Sequence, residues 1–261
     1  MWTRPELKSL AKSALKGNYW KSFFISIVIL IAGGGNGGGN SGYNFHKEDI
    51  EGFINFNPNA IGIFITIALL IFAFRLLIGY SLEVGGMKYF VRSAQYKNTD
   101  GCIGFAFDGQ NFKGIVSAMF LRAFYIFLWS LLYIAAIVIA IFSRKFILLL
   151  FSLVLIIPSI VKVYAYYMVP YILSDNPNIG AKRAIELSNE MMMGNKFELF
   201  CLQLSFIGWI LLGLLAFGIG VLFVNPYIHA TNAQLYLVLR RNVLESNYTS
   251  YEELNLEEDF I

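Results

Sequence analysis

Long apolar runs separated by short polar stretches recur along most of the chain. In the clearest of them, Leu128 to Ile160, Arg144 and Lys145 are the only charged residues. A membrane helix needs about 20 consecutive apolar residues, and a soluble domain has too little interior to hold several such runs. The pattern therefore predicts an all-α, polytopic membrane helix bundle with about six transmembrane spans and two interfacial cytoplasmic helices.

The predicted spans belong to a single membrane domain, residues 1–245, which an acidic cytoplasmic tail, residues 246–261, follows as a loose end. Pro158 and Pro226 predict kinks in the fourth and sixth spans, because proline removes a helical hydrogen bond. The turn between the last two spans is expected at Gly218-Ile219-Gly220. The spans lie at about residues 20–38, 59–80, 114–142, 146–173, 197–217 and 221–241.

Two of the connections between these spans stand out in composition. Residues 33–58 are rich in glycine and predict an extracytoplasmic loop, which we interpret as a flexible linker because no strand-to-helix frame for a phosphate surrounds it. The stretch from Ser81 to Lys113 is polar and basic, and it predicts a cytoplasmic loop between the second and third spans.

The first interfacial helix is predicted at Thr3 to Asn18. An apolar stripe lies on one of its faces, and a row of lysines four residues apart lies on another: Lys8, Lys12 and Lys16. This pattern suits a helix on the membrane surface whose lysines contact anionic lipid headgroups. It equally suits a helix packed on the protein's own cytoplasmic loops. A second interfacial helix is expected within Asp175 to Asn195.

The distribution of lysine and arginine sets the expected orientation. Twelve of these residues flank the spans on the side of the N-terminus and three lie on the other side, which places the N-terminus in the cytoplasm. Six spans return the C-terminus to the same side of a bacterial cytoplasmic membrane. The composition, 57% hydrophobic and 14% charged, excludes soluble and disordered classes, and a net charge of +3 argues against a nucleic-acid partner.

Several phrases of the sequence together resemble a known family. The chain is similar to the domain-of-unknown-function 975 family of bacterial integral membrane proteins, itself distantly similar to the membrane domain of some glycerophosphodiester phosphodiesterases. The resemblance implies an architecture and no activity. The chain departs from the family at Pro158-Ser159, where Pro-Gly is usual, and at Tyr133 to Leu155, which looks inserted. The phrases include Glu6-Leu7-Lys8, Gly17-Asn18-Tyr19, Trp129-Ser130-Leu131-Leu132, Met193-Gly194-Asn195-Lys196 and Ser205-Phe206-Ile207-Gly208-Trp209.

Three basic residues lie inside the predicted spans, where a charge is costly and by default suggests function. Arg75 and Arg122 lie toward the cytoplasmic ends of their spans, where long side chains can reach the headgroups. Lys162 lies near the middle of its span. The predicted spans contain no acidic partner for it, since Glu198 at a cytoplasmic edge is the only acidic residue in them.

The middle of the sixth span is unusually polar. We predict that Lys162, His229, Asn232 and Gln234 share a hydrated cavity that takes an anionic headgroup, because polar side chains at this depth face other helices or water. The alternative is that the polar residues of the sixth span hydrogen-bond to neighbouring helices and hold the bundle together.

No catalytic constellation is recognisable, and neither a cofactor nor a metal site is expected. Cys102 and Cys201 are both predicted on the cytoplasmic side, where thiols stay reduced. The sequence favours a non-enzymatic membrane module that binds lipid, another membrane protein or a second copy of itself. The alternative is a transporter or lipid-translocating protein with a polar cavity near Lys162 and the sixth span.

Overall fold

The computed structural model describes residues 2–33, 58–143, 152–215 and 218–256, and it contains helices and no strand within these ranges. A π-helical turn, Arg75–Gly79, and a short 3-10 helix, Gly104–Phe107, accompany the α-helices. The α-helices are α1 (Arg4–Leu15), α2 (Tyr19–Ile31), α3 (Pro58–Phe74), α4 (Tyr80–Ala94), α5 (Gly109–Ser143), α6 (Ile156–Ala165), α7 (Val169–Asp175), α8 (Ala181–Met191), α9 (Lys196–Leu204), α10 (Ile207–Leu215) and α11 (Ile219–Glu245).

The predicted all-α helix bundle is confirmed. In the described part of the chain four segments are long and apolar enough to cross a membrane, and the pair α1–α2, bent by 108°, would add a fifth. The helix α11 is not among them, because the polar residues of its middle lower its hydropathy. The four segments are Ile65–Ala94, Gly109–Ala140, Ser152–Asp175 and Lys196–Leu215.

The second apolar segment does not end near residue 80. Helix α3, the π-helical turn and α4 follow one another without a break, so the loop expected from Ser81 is helical as far as Ala94. The polar side chains that suggested a loop are packed inside the protein, as Ser81 and Glu83 are buried. Their polarity marks contacts between helices and not exposure to water.

Other boundaries differ less from the prediction. The fourth segment is interrupted at Leu155, just before Pro158, which cannot donate a hydrogen bond to Val154. The predicted turn near Gly218 is present: this residue has a φ of +77°, a left-handed conformation that glycine adopts without strain, and α11 begins directly after it. The glycine-rich loop and the hairpin turn at Arg144 and Lys145 lie outside the described residues.

Five elements pack into a well-filled region that we call the packed base: α1, α4, α7, α8 and the C-terminal half of α11. Its largest fully buried side chains include Tyr89, Phe90, Tyr171 and Tyr236, and the rings of the last two stack at 5.5 Å. Helix α2 lies against it so closely that a Cβ on Gly86 would be 2.4 Å from the Ile29 side chain. The base therefore has the dense packing of a soluble protein core.

The remaining long helices leave most of their apolar side chains uncovered. We call α3, the part of α5 beyond Arg122, α6 and α10 the apolar arms. Leu70, Phe127, Ile157 and Leu215 are examples of their exposed large side chains. Exposure on this scale is typical of helices that face lipid hydrocarbon.

Residues 246–256, which follow α11, pack against the rest of the protein, although they were expected to form a loose tail. The Arg183 side chain holds Glu253, with 2.7 Å between Nε and Oε1, and also donates to the carbonyl oxygen of Tyr248 at 2.7 Å. Leu254 is fully buried in the packed base. The guanidinium also lowers the pKa of the Glu253 carboxyl. The prediction failed because the acidic residues suggested solvation, whereas one of them pairs with α8.

Candidate functional site

Helix α1 begins with a proline in its first turn, where a missing N–H costs no helical bond. The side chains of Thr3 and Glu6 hydrogen-bond to each other at this turn, with 3.4 Å between Oγ1 and Oε2. The apolar stripe is buried, chiefly against α11. The helix thus packs on the protein itself, and the partner is a helix and not a loop. The buried residues of the stripe are Leu7, Ala11, Ala14 and Leu15.

The lysine row of α1 turns away from that contact and lines a groove. The groove lies between α1, the start of α9, α10 and the N-terminal half of α11, and it has two adjoining compartments of about 760 and 530 Å³. Lys12 and Tyr227 line both compartments, so the two adjoin at these side chains. We call them the basic compartment and the apolar compartment.

The basic compartment gathers three cations from one face of α1: Arg4, Lys8 and Lys12. Lys8 Nζ donates to the carbonyl oxygen of Ser205 at 3.3 Å and lies 4.5 Å from the centre of the Phe206 ring. The one carboxylate in its lining, Glu198, lies 3.7 Å from Arg4. The compartment therefore keeps a net positive charge and ring faces beside its cations, which suits an anionic oxygen group.

The apolar compartment continues from Lys12 toward the apolar arms. Its walls are mostly hydrocarbon, supplied by Leu15, Trp209, Phe223 and Val224. Tyr19 crosses its floor and donates its hydroxyl to the carbonyl oxygen of Phe223 at 2.8 Å. With Lys16 at its edge, this compartment can hold an alkyl chain whose polar end sits near the lysine row.

Helices α10 and α11 approach closely enough to form one wall of the groove. A Cβ on Gly213 would lie 2.6 Å from the backbone nitrogen of Val221, and a Cβ on Gly220 would lie 2.6 Å from the Gly213 Cα. Gly213 and Gly220 therefore allow the two helices to pack closely.

A family model described as "Protein of unknown function (DUF975)" matches residues 1–243. The chain belongs to this DUF975 family. No curated protein and no solved structure matches it. The match spans α1, the groove and the packed base, and it stops before the docked segment that contains Glu253 and Leu254.

The four residues proposed for a shared cavity have different surroundings in this DUF975 protein. Lys162 Nζ lies 5.2 Å from the centre of the Trp129 ring and 5.9 Å from that of Tyr166. His229 is instead buried against Phe90 of α4, with ring centres 5.2 Å apart. The cavity's expected members thus lie against different helices, α5 for Lys162 and α4 for His229.

The two amide side chains of that set are buried beside His229. Gln234 donates to the carbonyl oxygen of Ala94 at 3.4 Å, across the contact between α11 and α4. Asn232 is fully buried, and neither of its amide atoms has a hydrogen-bond partner in the described structure, nor does His229 Nδ1. None of the four predicted residues lines either compartment of the groove.

Sequence reasoning missed one buried cluster, which we call the Glu83 cluster. The Glu83 carboxylate is buried and pairs with two guanidiniums, those of Arg75 and Arg122. Both arginines were expected to reach the headgroups, and in the structure both contact this buried carboxylate. The available signal was the Gly85-Gly86 pair beside Tyr89 and Phe90, because small residues beside aromatic ones favour a packed helix over a loop.

A second buried pair joins α7 to α11 inside the packed base. Asp175 Oδ2 accepts hydrogen bonds from the Tyr236 hydroxyl at 2.6 Å and from Arg240 Nη1 at 2.7 Å. No group of three or more potential metal-binding side chains is found among the described residues.

Proposed function

We propose that this protein is a non-enzymatic membrane module that binds one anionic phospholipid in the groove beside α1. The phosphate lies among Arg4, Lys8 and Lys12, and an acyl chain follows the apolar compartment past Trp209. The observation that carries the proposal is that a basic and an apolar compartment adjoin at Lys12 and Tyr227. An anionic lipid has the same two parts, in the same order.

The energetics support a lipid better than a soluble anion. Each lysine near an anionic headgroup contributes about 1 kcal/mol, and salt screens that term. An acyl chain gains about 0.8 kcal/mol for each methylene group withdrawn from water, and this gain keeps a lipid's phosphate in the bilayer beside the groove. The headgroup of a lipid is therefore held near the lysine row, whereas free phosphate has to be drawn from solution by the cations alone.

Fluorescence quenching of Trp209 tests this proposal directly. A variant that keeps Trp209 as its only tryptophan would be reconstituted with phospholipids brominated on the acyl chain. We expect brominated phosphatidylglycerol to quench Trp209 more strongly than brominated phosphatidylcholine at equal content. A matched variant that keeps only Trp20, exposed on α2, should show no such preference.

Removal of the lysine row should abolish the preference for the anionic lipid. We expect this of the Lys8→Gln, Lys12→Gln, Lys16→Gln variant, whereas Lys113→Gln with Lys182→Gln, which removes exposed lysines elsewhere, should keep it. Equal quenching by both lipids in the parent protein would refute the proposal. A stoichiometric membrane protein that protects Trp209 from both lipids would assign the groove to a protein partner instead.

The proposed location is a bacterial cytoplasmic membrane, with both termini on the cytoplasmic side. The excess of lysine and arginine on one side supports this orientation. So does the fold, since Leu7 near one end and Leu254 near the other belong to one buried cluster. With Cys102 and Cys201 removed, an impermeant thiol reagent on intact cells should label a cysteine at Ser41 and not one at Ser250. Labelling at Ser250 would contradict the orientation.

A further inference from the structure

The Glu83 cluster carries an unbalanced charge. One carboxylate faces two guanidiniums, so the cluster has a formal charge of +1 within a largely buried environment. A buried charge without a counter-ion is costly, and proteins offset it with a partner, a ligand or a hydrogen-bond network. The contacts of each guanidinium show which of the two lacks a counter-ion.

Arg75 is fully engaged. One of its terminal nitrogens pairs with Glu83, and the other donates to the carbonyl oxygen of Ala32 at the C-terminal end of α2. A helix C-terminus carries partial negative charge, which adds to that of the carboxylate. The guanidinium also lies 4.7 Å from the centre of the Tyr80 ring. Arg75 therefore interacts more strongly than Arg122 with the negative groups of the cluster, the Glu83 carboxylate and the C-terminal end of α2.

Arg122 has fewer and weaker hydrogen bonds than Arg75. Its contact with Glu83 is 3.5 Å between Nη1 and Oε1, the upper limit of a hydrogen bond, and its Nε has no partner in the described structure. A guanidinium offers five N–H donors in a flat fork that fits oxygen anions. The Arg122 side chain is 16% exposed, so its tip remains reachable.

The surroundings of Arg122 restrict what can reach it. The cluster lies where the packed base gives way to the apolar arms: Leu77 and Ile78 of the π-helical turn are exposed on one side. On α5 the rings of Phe120 and Phe124 are also exposed, but they lie two residues before and after Arg122 and therefore on the opposite face of that helix. The backbone of the cluster is irregular at Arg75–Gly79, and π-helical turns are frequent at functional sites.

We propose that Arg122 binds an anionic oxyacid group, the phosphodiester of a lipid or free phosphate, as the counter-ion that the Glu83 cluster lacks. The site is separate from the groove, since none of its three residues lines either compartment. The bound anion leaves the Arg75–Glu83 pair in place and accepts the remaining donors of Arg122. The cluster with its anion is then neutral.

The test compares thermal unfolding in phosphatidylcholine nanodiscs with and without phosphatidylglycerol, in a background with Arg4→Gln, Lys8→Gln, Lys12→Gln and Lys16→Gln, which removes every cation that lines the groove. Phosphatidylglycerol should raise the unfolding temperature of this background. Arg122→Gln should abolish the rise and leave stability in phosphatidylcholine alone unchanged or higher, because it leaves a neutral Arg75–Glu83 pair. Lys113→Gln on the same helix is the control that should keep the rise.

Glu83→Gln gives the opposite expectation, since two guanidiniums then lack a counter-ion and the rise with phosphatidylglycerol should grow. Phosphate added to phosphatidylcholine nanodiscs separates the two sources: stabilisation by phosphate alone assigns the site to the free anion, and its absence to the lipid. Loss of stability in Arg122→Gln that is equal in every nanodisc would make Arg122 a purely structural partner and overturn the proposal. So would a rise that persists in Arg122→Gln. These readings hold whether or not the groove binds lipid.

Discussion

The packed base and the apolar arms are both rich in large apolar side chains, but these side chains are buried in the base and exposed in the arms. In the base, leucine and tyrosine are enclosed by other helices, and polar groups such as Asp175 and Arg240 are paired across helices. In the arms, most leucine and isoleucine side chains are exposed. The apolar side chains of the arms thus suit contact with lipid hydrocarbon. Those of the base pack against one another and hold together helices from both ends of the chain.

The contacts that stabilise the fold are concentrated in the packed base. Two apolar side chains in contact gain little over the same side chains in contact with lipid, so the arms contribute little through exposed leucines. In the base, lipid cannot take the place of the partner of a buried ion pair or of the neighbours of a buried leucine, so the loss of either contact lowers stability. The predictions below test that difference, beginning with the largest expected effect.

Removal of a buried counter-ion from the base should have the largest effect. Asp175→Ala leaves Arg240 buried without its carboxylate and should lower the free energy of unfolding by about 3–5 kcal/mol. Asp100→Ala removes the partner of Lys21 in an exposed pair and should cause no measurable change. Chemical unfolding in a mild detergent checks both, and equal losses would show that burial does not set the value of these pairs.

Truncation of a leucine should distinguish the two regions next. Leu235 of the base is 0% exposed, and Leu235→Ala should cost about 2–4 kcal/mol through lost contacts and a cavity. Leu70 of the arms is 65% exposed, and Leu70→Ala should change the unfolding free energy by about 0.5 kcal/mol or less. A large loss at Leu70 would mean that the arm is covered by protein in the membrane.

Added bulk at glycine should also separate the regions. In Gly86→Ala the new methyl group would overlap the Ile29 side chain, at a cost of about 1–3 kcal/mol for overpacking. Gly62 in α3 has open space around its Cα, and Gly62→Ala should stabilise the helix by up to about 1 kcal/mol. Thermal unfolding of both variants is the measurement, and a stabilised Gly86→Ala would refute close packing between α2 and α4.

The smallest effect is expected at the docked segment, residues 246–256. Arg183 lowers the pKa of Glu253 in the folded state, so the pair stabilises docking above the unfolded value of about 4.3. That contribution is lost as the pH falls through the lower folded value. The protection factors of the segment, which are corrected for the intrinsic pH dependence of exchange, should therefore fall in acid, and Glu253→Gln should lower them near neutral pH and flatten their pH profile. Glu252→Gln, at an exposed neighbour, should behave like the parent.

Local pattern was sufficient for much of the fold. Helical spacing on α1 predicted both the buried stripe and the outward lysine row, because a helix places every third and fourth residue on one face. The glycines near residue 218 predicted the turn before α11, since a left-handed φ is easy for glycine alone. The candidate groove was predicted in part: its lysines were named as contacts for anionic lipid, but its apolar compartment was not.

The errors share one cause. Polar residues at Ser81, Glu83 and in the C-terminal segment suggested exposure to water, and the structure buries several of them against distant partners. Glu83 meets Arg122 39 residues away, and Arg183 meets Glu253 70 residues away. Spacing along one helix carries no information about such pairs.

What the sequence determined by itself is the helical class, the membrane-like hydropathy and the amphipathic character of α1, because each depends on neighbours within a few turns of helix. What the tertiary structure decided is which polar groups find one another: Glu83 with two arginines, Asp175 with Arg240 and Glu253 with Arg183. A buried charge costs too much to remain unpaired, so its position depends on a partner that only the folded chain brings within reach.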